Sequence, residues 1–185
     1  MTRDEIKALH KSTAVSADFL AEIGRITAHF ALLERDLIML VHSLLDLHES
    51  VALTITSELS FRGLQQLASS LVKEMIPTEV NNLKIILQRV GKAEEKRNRV
   101  SHSLWGAAAT MADEEQRVVR TKYSAKQNRG LHFSREELTV RDLHKMAVEI
   151  SIAAYDVAAF TARIVRARKE GEFSTPYSAT SAQYL

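Results

Sequence analysis

Between Ser16 and Leu47 the apolar residues Phe19, Ile23, Ile26, Phe30, Leu33, Leu37, Leu40, Leu44 and Leu47 recur at alternating steps of four and three. A period of 3.5 residues held over about four heptads is a helical signal, because side chains in a strand repeat every two residues. At a rise of 1.5 Å per residue it predicts a helix about 45–50 Å long. Leu20, Val41 and Leu45 widen the stripe, as expected of a helix that packs against more than one neighbour. Gly24 lies inside it and costs about 1 kcal/mol against Ala, a choice that a close helix crossing would explain. The seam is longer than one small bundle needs, and a homodimer would use the surplus.

The rest of the chain continues the pattern. With 6 Gly and 2 Pro in 185 residues, too few turns are available for a sandwich or barrel. A break over His48–Ser60 leaves room for a short helical segment at Val51–Ile55. Ser60 is a natural N-cap for a helix over Phe61–Ile76, with Phe61, Leu64, Leu67, Ala68, Leu71 and Met75 on its apolar side. Pro77 ends that helix and Thr78 is positioned to cap the next, which carries Val80, Leu83, Ile86, Leu87, Val90, Ala93, Val100 and Leu104 and should run to His102 or Ser103. The character then changes. Leu104–Met111 and Arg117–Ser124 read as a β-hairpin around the acidic turn Asp113-Glu114-Glu115, Gln127–Gly130 as loop, and Leu131–Phe133 or Glu136–Thr139 as a further short strand. Thr139 and Asp142 have capping-box spacing ahead of a long last helix to Lys169, with Leu143, Met146, Ala147, Ile150, Ala154, Val157, Phe160 and Ile164 at core positions and Gly171 closing it. The expected fold is a mainly α bundle of four to five helices with a small β insertion at about 104–139, in one domain over residues 1–170. A Ser/Thr/Ala-rich tail over 171–185 is expected to be disordered.

Several functional classes drop out. With no cysteine, disulfide scaffolds, Cys-based zinc sites, iron–sulfur clusters and thiol nucleophiles are excluded. A net charge of +2, from 25 basic and 23 acidic side chains, confines any nucleic-acid contact to a local patch. The first twenty residues are charged and lack an apolar signal core, and no run of about 18 apolar residues could span a bilayer, so a cytoplasmic, membrane-free protein is expected. His29, His42 and His48 have no carboxylate partner at ligand spacing. No metal or other cofactor is expected.

The residues that can carry chemistry sit at the end of the third long helix, Glu94-Glu95-Lys96-Arg97-Asn98-Arg99-Val100-Ser101-His102. Arg97 occupies a place where the apolar stripe calls for a hydrophobe, so it needs a partner or faces a cleft. Asn98 and His102, four residues apart, project from one helix face. Arg97 and His102 are separated by roughly 140° around the axis and share a cavity only if it wraps the helix end or a second protomer completes it.

Arg97-Asn98-x-x-x-His102 resembles the signature of the HEPN superfamily: Arg, a polar residue, three more residues, then His, near the end of a helix in a helical bundle. Phe30-Ala31-Leu32-Leu33-Glu34 and His102-Ser103-Leu104-Trp105 resemble a group of small bacterial HEPN-like proteins, and the likeness covers most of residues 16 to 169. It implies a metal-independent RNA endonuclease, of toxin or antiviral-defence type, acting on RNA. The site would be composite, formed where two motifs meet in a homodimer, and an antitoxin protein is a possible partner. Arg97 would bind the phosphate and His102 would be the general acid or base. Asn98 would position one of them, with Glu34 in support. The chemistry suits the residues, since imidazole exchanges protons near neutral pH and guanidinium presents a planar fork to a phosphate. Lys92, Lys96, Arg99, Arg117, Arg120 and Lys122 are the RNA-binding candidates on a basic path that continues to Lys126 and Arg129.

Plainer readings stand beside these. Arg97 could pair with Glu34 or Glu94 while His102 caps the helix C-terminus, and Glu34 could form a local surface pair. The basic path could be a solvated hairpin, and Trp105 and Tyr123 could fill the edge of the core rather than stack on a base. The fold could also serve as a non-catalytic dimeric module that binds a nucleotide or a partner protein.

Overall fold

The computed structural model describes residues 2–4, 15–107, 117–126 and 130–171. The elements are α1 (Ala17–Leu45), α2 (Glu49–Ser57), α3 (Phe61–Met75), a 3-10 turn (Pro77–Glu79), α4 (Val80–Ser101), β1 (Leu104–Ala107), β2 (Arg117–Lys126), β3 (Gly130–Thr139) and α5 (Val140–Lys169). The chain is a mainly α bundle with a small antiparallel sheet inserted between α4 and α5. Its contacts group into two compact units, Met1–Ala28 with Glu94–Glu149 and His29–Ala93 with Ile150–Leu185. Among the described residues no helix is long and apolar enough to cross a membrane.

The second unit holds most of the helical core. Phe30, Leu33, Leu37, Leu40, Val41 and Leu44 of α1 are buried, as their period requires. The Phe30 and Phe61 rings meet at 4.7 Å between centroids in a tilted arrangement. Ser60 caps α3 as its type predicts, its hydroxyl accepting from the Gly63 amide at 3.1 Å. α1 ends where Asp46 turns to a positive φ of 54°. There Arg168 of α5 reaches back, donating to the Leu44 carbonyl at 3.2 Å and pairing with Asp46 at 3.1 Å. α5 contributes Ile150, Ala153, Ala154, Val157, Phe160 and Ile164, all buried.

The first unit carries the sheet. Its strands run in the order β1-β2-β3, with Trp105 opposite Arg120 and Arg120 opposite Glu136. α5 opens with a capping box: the Thr139 amide donates to Asp142 Oδ2 at 3.0 Å, and the Asp142 amide donates to the Thr139 hydroxyl at 3.1 Å. The Thr139 amide above all, then the Thr139 hydroxyl, holds the Asp142 carboxyl below its usual range, with Lys145 and Arg141 adding to the effect.

Several expectations are corrected. Gly24 marks no helix crossing, since a side chain there would meet nothing within 4 Å. Leu20, expected to widen the stripe, is 57% exposed, and Leu47, the last residue of the predicted seam, is 43% exposed, whereas Phe19 at its start is buried. Leu104 is exposed as well, because the chain has left the helix by that point. Thr78 lies inside a 3-10 turn rather than capping α4. The hairpin is a three-stranded sheet, because the two short segments proposed after residue 130 belong to one continuous strand. The acidic turn at 113–115 and the tail beyond Gly171 lie outside the described residues.

Candidate functional site

The last turn of α4 leaves carbonyl groups that the helix itself cannot satisfy. The residues just past the helix, together with the sheet, satisfy them one by one. The His102 amide donates to the Asn98 carbonyl at 3.2 Å. The Ser103 hydroxyl donates to the Arg99 carbonyl at 2.7 Å, and Arg120 Nη1 donates to the same carbonyl at 3.2 Å. The Trp105 indole N–H donates to the Val100 carbonyl at 3.1 Å. Side chains from β1 and β2 therefore hold the helix end that carries the motif.

One carboxylate ties this arrangement together. Glu136 of β3 accepts from one guanidinium edge of Arg99, Nε at 3.1 Å onto one carboxylate oxygen and Nη2 onto the other. It also accepts from Arg120 Nε at 3.1 Å. Arg120 is buried, and its Nη1 reaches the Ser103 hydroxyl at 3.2 Å. A buried cation needs a facing charge and hydrogen-bond acceptors, and Arg120 has Glu136 as the first and the Arg99 carbonyl and Ser103 hydroxyl among the second.

On this framework Arg97 and Asn98 are half-buried, with Arg97 Nε itself buried. His102 stands exposed in the turn after the helix. Arg97, Asn98 and His102 thus share one braced helix end within the first unit. Glu34 is half-buried on α1 and belongs to the second unit.

The basic candidates divide. Arg99 and Arg120 turn onto Glu136. Lys96 pairs with Glu149. Arg117 is exposed on β2, with a loose 3.9 Å approach to Glu137. Lys92 is exposed and Lys122 half-buried. The side chains of Tyr123 and Lys126 and the whole of Arg129 lie outside the described residues. Trp105 is half-buried and works as an anchor of the helix end, close to the core-edge reading.

Glu136, Ser103 and Trp105 are the site residues that sequence reasoning did not pick out for this role. Glu136 becomes significant only once register sets it opposite Arg120. Among the described residues no group of three or more His, Asp or Glu gathers as a metal site. Comparisons with protein-family models, with curated proteins and with solved structures find no match to this chain.

Proposed function

We propose that the chain is a metal-independent RNA endonuclease of HEPN type, with Arg97, Asn98 and His102 in its site. The observation that carries this reading is the motif on a braced helix end with the His102 imidazole exposed. In the reaction the ribose 2′-oxygen attacks the adjacent phosphorus and the 5′-oxygen departs, leaving a 2′,3′-cyclic phosphate. His102 takes the 2′-hydroxyl proton or delivers one to the leaving oxygen. Arg97 binds the non-bridging oxygens as charge builds on them. A site composed of two motifs in a homodimer supplies one imidazole for each proton transfer. The finer reading is a toxin or defence effector held in check by an antitoxin protein.

The test is cleavage of structured or transfer RNA by the purified chain in EDTA. His102→Ala should abolish it with the circular dichroism spectrum unchanged, and the product should carry a cyclic phosphate. Cleavage that requires a divalent cation, or full activity in His102→Ala, overturns the proposal.

One observation favours a second reading, a non-catalytic module that binds a nucleotide or a protein. Arg99 and Arg120 are occupied by Glu136 and Lys96 by Glu149, so three of the six candidate RNA-binding cations are already engaged by carboxylates. Nucleotide binding without RNA cleavage would select this reading.

A further inference from the structure

Two guanidinium groups share one carboxylate at the end of α4. Arg99 and Arg120 both pair with Glu136, so the trio carries one positive charge in surplus. That surplus falls on Arg99. The Arg120 side chain is 9% exposed and is committed to Glu136, to the Arg99 carbonyl and to the Ser103 hydroxyl. The Arg99 side chain is 37% exposed. It meets Glu136 through one edge of its fork, Nε and Nη2, and its Nη1 makes no hydrogen bond among the described residues. With Arg120 in place, Glu136 stays neutralised even when Arg99 takes another anion. Nη1 and the second N–H of Nη2 then form a two-donor edge, the geometry that matches two oxygens of a phosphate.

The helix sets this edge on the His102 side. The His102 amide still donates to the Asn98 carbonyl, four residues back, so His102 continues the spiral of α4. Arg99 lies three residues before it, roughly 60° around the axis and about 4.5 Å along it, on one face. Arg97 is roughly 140° from the same imidazole. Glu95, an acid on the Arg99 face, is exposed and lies about two turns back from His102, further than Arg99. We infer that Arg99 is a phosphate-binding residue for the His102 of its own chain, holding a phosphodiester of the RNA strand against the exposed imidazole. The inference rests on the proposed RNA cleavage for the identity of the anion, and adds to it a cation outside the Arg97, Asn98 and His102 set. The angle between Arg97 and His102 calls for a second motif to complete the site, whereas Arg99 needs none. The cluster also distinguishes its two arginines: Arg120 is the fixed counter-charge of Glu136, and Arg99 is the one that meets substrate.

Binding of fluorescein-labelled transfer RNA, followed by fluorescence anisotropy in EDTA, tests this apart from cleavage. The full chain with His102→Ala serves as the parent, so that the RNA stays intact. Adding Arg99→Gln should weaken binding about 10-fold, as loss of one charge-assisted hydrogen bond does. It should also lower the slope of log Kd against log salt concentration by about 0.7–0.9, the share of one phosphate. Arg99→Lys should restore the slope, because an ammonium neutralises a phosphate but cannot reproduce the two-point hold on Glu136. A residue that only braced the helix end would not be rescued in this way. Arg62→Gln removes the same charge from an exposed position on α3, in the second unit, and should leave affinity and slope unchanged. An unchanged slope in Arg99→Gln, no recovery with Arg99→Lys, an equal loss in Arg62→Gln, or no RNA binding by the parent overturns the inference. Cleavage by the chain with His102 intact is read separately. Its absence beside a clear Arg99 effect overturns the nuclease reading and supports the phosphate site.

Discussion

Glu136→Gln isolates the contribution of one charge to the helix end that carries the motif. The substitution keeps the side-chain shape and one carbonyl oxygen but removes the charge that Arg99 and Arg120 share. The Arg99 side chain is 37% exposed, so water screens its half of the arrangement, worth about 0.5 kcal/mol. The Arg120 side chain is 9% exposed. A hydrogen bond from a buried charged donor contributes about 1.5–3 kcal/mol, and the lower part of that range applies because Arg120 keeps the Arg99 carbonyl and the Ser103 hydroxyl. The sum is about 2 kcal/mol, or roughly 4–8 °C in melting temperature for a chain of this size. Glu137→Gln is the matched control. Its side chain is 47% exposed and 3.9 Å from Arg117, so it should cost under about 0.5 kcal/mol. Urea unfolding followed by circular dichroism measures both. Amide hydrogen exchange at His102, whose N–H is bonded to the Asn98 carbonyl, should quicken in Glu136→Gln alone. Equal effects from the two substitutions, or no change in exchange at His102, would refute the hub role given to Glu136.

Other parts of the fold give three more expected outcomes. Asp142 has a depressed carboxyl pKa in the folded chain, so its stabilisation is complete above the ordinary carboxylate range and is lost as pH falls through the folded value; Asp142→Asn should cost about 1 kcal/mol at pH 7 and flatten stability-versus-pH below about pH 4, both read by urea titration. Gly24→Ala meets nothing within 4 Å on an exposed helix face and should raise stability by up to about 1 kcal/mol in thermal melts. Arg168→Met removes the donor to the Leu44 carbonyl and the pair with Asp46, and should cost about 1–2 kcal/mol in the same measurement, with faster amide exchange at the end of α1.

Most local signals in the sequence are read correctly because they act locally, Thr78 in its 3-10 turn being the exception. Ser60 caps α3, and Thr139 with Asp142 caps α5, through contacts three residues long. Every apolar position assigned to the last helix is buried, because one turn of helix fixes which residues share its face. Errors gather where the answer depends on a distant part of the chain. Gly24 suggested a crossing because its cost is local while the proposed benefit would come from elsewhere.

The same distinction governs the site. The motif was legible because Arg97, Asn98 and His102 are close in sequence and the end of α4 is a local feature. What holds that end was not, because Arg120 and Glu136 come from β2 and β3 and meet Arg99 only through strand register. From spacing alone Arg99 and Arg120 are two more cations on a basic path. In the fold they are the pair that shares Glu136, and Arg120 joins Ser103 and Trp105 in satisfying the last carbonyls of the helix. A short strand segment with those side chains is thus a structural part of the motif. Substitutions there should move His102 without touching it, whichever chemistry His102 performs.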